Sequence, residues 1–198
     1  MPALVLASGS RWRAELLARL DLEFDCQPAD FDERAHDHRF AELGPEGLAL
    51  LLAEGKAEAV AHVRPGDWIL AADQIAVLDE PSGPVLLHKP GTEARAIAQL
   101  QRLRGRGHRL LTAVVLRGPG GFMAHDFDTQ ALTMREFSDA EAEAYVRRYR
   151  PVDSVGSYHV EDAGIKLFER IDGDHTGIMG LPLLAVCRLL RRAGLLEA

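Results

Sequence analysis

Between Ala3 and Leu20 a short apolar run hands over, across only Ser8-Gly9-Ser10, to a stretch in which Leu16, Leu17 and Leu20 recur at helical spacing. Ala3 to Ala7 suits a buried strand, and Ser10 is placed to cap the helix that follows. A strand passing so directly into a helix constrains the chain to a fold in which the two mix. The loop between them offers two hydroxyls, a glycine that lets a ligand approach the backbone, and the free amides of a helix N-terminus. Such a place suits an anion such as phosphate. The same residues are also those of an ordinary capped strand-turn-helix.

Further along, Phe24 to Gly44 is polar and irregular, carrying Asp30, Asp32, Glu33, His36, Asp37 and His38. Pro45 opens a helix reaching Val63, with Leu48, Leu51, Leu52 and Val60 on one stripe and Lys56 near its edge. Trp68 to Ala72 reads as a buried strand with Asp73-Gln74 at its end. Ile75 to Leu78 and Val85 to Leu87 then form a hairpin around Asp79 to Pro84. Thr92 caps a helix with Ile97, Leu100 and Leu103 on one face. Leu110 to Leu116 and Phe122 to Phe137 suit a long antiparallel hairpin about Gly118-Pro119-Gly120-Gly121. That glycine cluster sits between strands rather than before a helix, so it is not read as a phosphate loop. Ser138 with Glu141 makes a capping box for a helix reaching Tyr149, which Pro151 stops. A loop-rich segment follows, then a helix from about Pro182 to Arg192 closed by Gly194. Strands mixed with helices in both halves imply one α/β unit with a mixed sheet.

The 198 residues, 47% hydrophobic and 27% charged, suffice for one domain with a substantial core. The formal charge of −7 argues against a coat for nucleic acid polymers, which needs a continuous basic surface. A single small anion needs only a local basic cluster. Cys26 and Cys187 are too few for a disulfide framework. With no export signal or run of membrane-spanning length, a soluble, reduced, cytoplasmic protein is expected, with no membrane partner.

Ser8-x-Ser10-x-x-Arg13 resembles the N-terminal signature of the Maf family, the nucleotide pyrophosphatases once described as septum-formation inhibitors. Other segments match family landmarks in order: Asp32-Glu33, Lys56-Ala57, Ala72-Asp73-Gln74, Lys89-Pro90, and Gly156-Ser157-Tyr158 through Leu167-Phe168-Glu169-Arg170 to Gly180-Leu181-Pro182-Leu183. The resemblance implies a single Maf-like domain over 1–198. Its fold would be an elongated mixed sheet flanked by helices, two lobes with a central cleft, similar to the inosine triphosphatase fold. It also suggests a homodimer.

Cleaving a nucleoside triphosphate between its α and β phosphates requires an aligned water, neutralised phosphate oxygens and a metal ion that offsets charge. Asp73 and Glu33 are hard oxygen ligands suited to Mg²⁺ or Mn²⁺, and Arg13, Lys56 and Lys89 supply positive charge. By resemblance Asp73 is the proton acceptor, Glu33 supports the metal, Lys56 and Lys89 complete the catalytic set, and Ser8, Ser10 and Arg13 bind the substrate. Read without the resemblance, Asp73 is more often a turn residue and Lys56 usually a solvated helix charge, while Lys89 is equally a turn lysine before Pro90. His36-x-His38 with Asp37 lacks a third spaced ligand for zinc and is explained by a polar loop. Cys187 reads as core, and Cys26 has no recognisable base beside it.

Three positions sort the family by base preference, and Trp12, Gln74 and Glu161 here resemble the branch that prefers 7-methyl-GTP. The branch selective for dTTP and UTP has Arg, Thr and Gln at those places. A guanine methylated at N7 carries positive charge, which a Trp face attracts and a carboxylate offsets. Trp12 could equally pack on its own helix, and Glu161 could be a loop charge. His88 and Ala113 stand where glycines are usual, and Val160 and Asp162 where Ser and Gly are. The function expected is hydrolysis of 7-methyl-GTP to 7-methyl-GMP and diphosphate. The alternatives are a dTTP/UTP or broad-specificity pyrophosphatase and, from another class, a nucleotide-sensing regulator of cell division without turnover.

Overall fold

The apolar N-terminal run forms β1 (Leu4–Leu6) and leads through Ser8 to Ser10 into α1 (Arg11–Ala18) in the computed structural model, which describes residues 2–197. Ser10 is the cap, its Oγ accepting from Arg13 N at 3.4 Å. The polar region that follows contains β2 (Asp25–Cys26) and a 3-10 segment, Glu33–Arg39, capped by Asp32. The next helix, α2 (Phe40–Val63), is broken at Gly44, whose φ of 68° lies in the left-handed region that glycine enters without strain. Pro45 therefore begins the regular part, as the sequence predicts.

β3 (Trp68–Glu80) is a single thirteen-residue strand and pairs antiparallel with β4 (Gly83–Leu87). Asp73 and Gln74 thus lie in mid-strand, not at a strand end. The apolar pattern is interrupted there by side chains that find polar partners. Thr92 caps α3 (Glu93–Leu103), after which β5 (Gly107–Arg117) and β6 (Met123–Met134) flank the short turn Pro119–Gly121. The capping box holds at α4 (Asp139–Tyr149), with Glu141 N donating to Ser138 Oγ and Ser138 N to Glu141 Oε2. The tail contains β7 (Phe168–Asp172), the one-turn α5 (His175–Ile178) and α6 (Leu183–Arg192). β7 and α5 were not legible in sequence: β7 has three exposed and two half-buried residues, so no apolar alternation marks it.

The strands make a seven-stranded sheet in the order β2-β1-β3-β5-β6-β7, with β4 beside β3. β1 runs parallel to β2 and β3, whereas β7 is antiparallel to β6, so the sheet is mixed as expected. The chain divides into two compact units. One is drawn from within Met1–Gln74, Leu111–Asp128 and Asp174–Ala198, the other from Ile75–Leu110 and Thr129–Gly173. In the first, Leu16 and Leu17 of α1, Leu70 of β3, Val114 of β5 and Val186 and Leu189 of α6 share one apolar core. In the second, α3 packs on α4, and Leu100 and Leu103 of the one and Val146 of the other are buried.

The second unit also buries His108 on β5, joined to the Tyr158 hydroxyl by a 2.7 Å hydrogen bond, with Phe168 edge-on to Tyr158. Burial pushes the imidazole pKa down from 6.5 to about 4. The unfolded chain therefore takes up a proton that the folded one refuses. The stability His108 contributes is present above pH 6.5 and is lost as pH falls toward 4, a change of about 3 kcal/mol. Urea midpoints at pH 7 and pH 4.5 should differ less in His108→Phe than in the parent; equal differences would exclude this group as the cause.

Candidate active site

The middle of β3 carries the most unusual electrostatic feature of the chain. Asp73 is 3% exposed, and its Oδ1 accepts a short hydrogen bond from Lys56 Nζ, reaching across from α2. Lys56 also lies 2.7 Å from Glu33 Oε1, at the start of the 3-10 segment. Lys56 is itself buried, on the same stripe as Ala49, Ala53, Ala57 and Val60, and not at the stripe's edge. A buried lysine on an apolar face is tolerated because both carboxylates meet its charge. Asp73 Oδ2 is buried with no hydrogen-bond donor among the described residues. Burial pushes the Asp73 carboxyl up, against the pull of the Lys56 ammonium.

The Ser8 to Ser10 loop is ordered by its own hydroxyls: Ser10 N donates to Ser8 Oγ at 3.1 Å. Each hydroxyl that accepts in this way keeps its own O–H to donate to a ligand. Arg13, on α1, donates through Nε to Gly180 O at 2.8 Å and through a terminal nitrogen to Ala72 O at 2.7 Å. Its guanidinium thus ties α1 to β3 and to the tail, and it feels the charges of Asp73 and Glu33. Desolvation moves its pKa down. Gly180 has φ of 91°, and a Cβ there would stand 3.4 Å from Arg13 Nε.

Gln74 follows Asp73 and is half-buried, its Nε2 donating to Thr112 Oγ1 at 3.0 Å and to Gly177 O at 2.7 Å. Trp12 on α1 is half-exposed, and the Arg11 guanidinium lies over its ring at 4.2 Å from the centroid. The ring therefore already receives a cation, and a cationic base would take its other face or displace Arg11. Ser8, Ser10, Trp12, Arg13, Glu33, Lys56, Asp73 and Gln74 all belong to the first unit. Lys89 and Glu161 belong to the second, and both are exposed. Of the unusual residues, Ala113 and Val160 are buried, and Asp162 Oδ1 accepts from Gly164 N to cap the turn Ala163–Leu167.

Asp73 and Glu33 are the carboxylates that could hold a cation. Among the described residues no three His, Cys, Asp or Glu side chains group as a metal site. Two carboxylates, one with an orphaned oxygen, nevertheless fit Mg²⁺, which is commonly held by one or two carboxylates with phosphate and water completing its shell.

A family model described as Maf-like protein matches residues 3–193. The chain belongs to the Maf family. A Xanthomonas campestris pv. campestris (strain 8004) protein named 7-methyl-GTP pyrophosphatase is 44% identical over 195 residues, covering 98% of this chain and 97% of its own. A Bradyrhizobium diazoefficiens protein named nucleoside triphosphate pyrophosphatase is 42% identical over 190 residues, covering 95% and 92%. Among solved structures, the Staphylococcus aureus Ham1 protein matches with a TM-score of 0.45 and 18% identity, covering 67% of this chain and 71% of that one.

In this Maf chain, sequence reasoning missed the residues that hold the site together from behind. Thr112 and the carbonyls of Ala72, Gly177 and Gly180 each bind a site side chain. Thr176 anchors the tail by donating to Asp174 and accepting from Leu183 N at 3.0 Å. Backbone carbonyls carry no signal in the one-letter code. The Asp174 and Thr176 pair does read as a local turn, and that signal was open to notice.

Proposed function

We propose that this chain is a nucleoside triphosphate pyrophosphatase that hydrolyses 7-methyl-GTP to 7-methyl-GMP and diphosphate. The observation that carries the reading is the buried Asp73 carboxylate, held by Lys56 beside Glu33 and Arg13, with one oxygen left without a donor. Its support in kinship is the 44% identity to a protein named for that activity. In this reading Asp73 takes the proton of the attacking water, and a carboxyl raised by burial is the better base for it. Lys56 keeps that carboxylate ionised and aimed. The Ser8 and Ser10 hydroxyls and the N-terminus of α1 hold phosphate oxygens, with Arg13 adding charge. Mg²⁺ or Mn²⁺, held by Asp73 and Glu33, would supply charge neutralisation of the phosphates. Lys89 and Glu161 enter by their place in the motif order alone, Lys89 as a further cation and Glu161 as the partner of the base.

Trp12, Gln74 and Glu161 are proposed to select the base. A second reading, broader nucleotide use, draws on the Bradyrhizobium relative's name. No helix among the described residues is long and apolar enough to cross a membrane. We extend the proposal to a homodimer on the Maf resemblance, and to the cytoplasm on the two cysteines, too few for a disulfide framework.

One panel tests these readings: kcat/KM for pyrophosphate release from 7-methyl-GTP, GTP, dTTP and UTP. The parent should prefer 7-methyl-GTP over GTP about five- to thirtyfold, because loss of the ring charge removes a cation–π contact of about 1–2 kcal/mol. Joint replacement Trp12→Arg, Gln74→Thr and Glu161→Gln should move preference toward dTTP and UTP. A parent that prefers those two refutes the base assignment, and one that binds nucleotides but releases no pyrophosphate is the regulator. Chelation should abolish turnover, and Mg²⁺ or Mn²⁺ should restore it. Full activity of protein verified metal-free by elemental analysis would exclude the metal.

A further inference from the structure

Gln74 spends both hydrogens of its side-chain amide on the protein, one on Thr112 Oγ1 at 3.0 Å and one on Gly177 O at 2.7 Å. The orientation of the amide is not free. A carbonyl oxygen can only accept, so turning the amide over would set two oxygens against each other at 2.7 Å. Thr112 is fully buried on β5, the sheet neighbour of β3, and Gly177 is buried in α5, whose start is pinned by Asp174 and Thr176. The Oε1 atom remains, in a half-buried residue, with no protein donor among the described residues. The missing side chain of Gly180 leaves a space bounded by Oε1 and the Arg13 guanidinium, since a Cβ there would stand 3.8 Å from Oε1 and 3.5 Å from an Arg13 terminal nitrogen.

We infer that the Gly177 carbonyl makes Gln74 an acceptor-only group and that Thr112 is the positioning residue that aims its Oε1, which receives an N–H from the edge of the substrate's base. The inference rests on the nucleotide pyrophosphatase reading and gives its base selection a definite sense. A free glutamine can donate or accept and so discriminates poorly between base edges. A clamped one rejects any base that presents an acceptor at that point, because Oε1 would face it unpaired.

The test uses the full chain with Thr112→Val, which keeps the shape and removes the acceptor, and Thr112→Ser, which keeps the hydroxyl. Thr112→Ala replaces the valine variant should that fail to fold. Each protein receives the triphosphate that the parent hydrolyses fastest and the same triphosphate with its base N–H masked. For 7-methyl-GTP the masked forms are its N1-methyl derivative and 7-methyl-ITP, which lacks the exocyclic amine; for UTP or dTTP it is the N3-methyl derivative. A parent that favours UTP refutes the base assignment above and leaves the clamp testable on UTP. If turnover is absent altogether, Kd values for the same pairs give the same comparison.

Masking should lower the parent's kcat/KM, mainly through KM, by about three- to tenfold for a neutral uracil or thymine and by about tenfold or more for the cationic 7-methylguanine. In Thr112→Val that penalty should fall below about twofold, with KM for the unmasked substrate raised by a similar factor as masking costs the parent and kcat retained. Thr112→Ser should match the parent. A parent indifferent to every masked form, or a folded Thr112→Val protein that shows the parent's full penalty, overturns the inference. The steric effect of an added methyl persists in both proteins, so only the difference between them counts.

Discussion

Asp73→Asn is expected to lower kcat for pyrophosphate release about a thousandfold while the circular dichroism spectrum stays that of the parent. The amide fills the same space at a position 3% exposed, so packing in mid-β3 is preserved. What is lost is the negative charge beside Lys56 and the basicity of the oxygen that has no donor. Lys56 retains Glu33 at 2.7 Å, whose side chain is 42% exposed and can share the charge with water. Substrate binding should weaken far less than turnover, which equilibrium titration with 7-methyl-GTP would measure. Turnover within tenfold of the parent would remove Asp73 from the proton-transfer role.

Lys56→Met should have the largest effect on stability. It leaves the Asp73 carboxylate buried without its partner, and breaking one side of a buried pair costs about 3–5 kcal/mol. For a chain of this length that corresponds to a Tm about 10 °C lower at neutral pH. Because burial already pushes the Asp73 carboxyl up, protonation offers the variant an escape, and the deficit should shrink as the pH falls. Adding Asp73→Asn should recover more than half of the loss, since the orphaned charge is then gone. A Lys56→Met protein as stable as the parent would mean that the pair contributes nothing net; a double variant no better than the single one would assign the loss to packing instead.

The local elements were legible because their causes are local. Ser10, Thr92 and Ser138 cap the helices that the periodicity of Leu16, Leu100 and Val146 defines, and a cap acts within one turn. The order of the charged and hydroxyl residues likewise pointed to the Maf family without any coordinates. The environment of those residues was not readable. Asp73 looked like the end of a strand and Lys56 like the edge of a helix, yet each is buried because the other meets its charge across 17 residues of chain. The separations grow behind the site: 103 residues between Gln74 and Gly177, and 167 between Arg13 and Gly180. A backbone carbonyl has no identity in the sequence, and a side-chain amide has no direction there. Residue type specified which polar groups the chain possesses; packing of distant segments specified which of their atoms are consumed internally and which are left for a ligand.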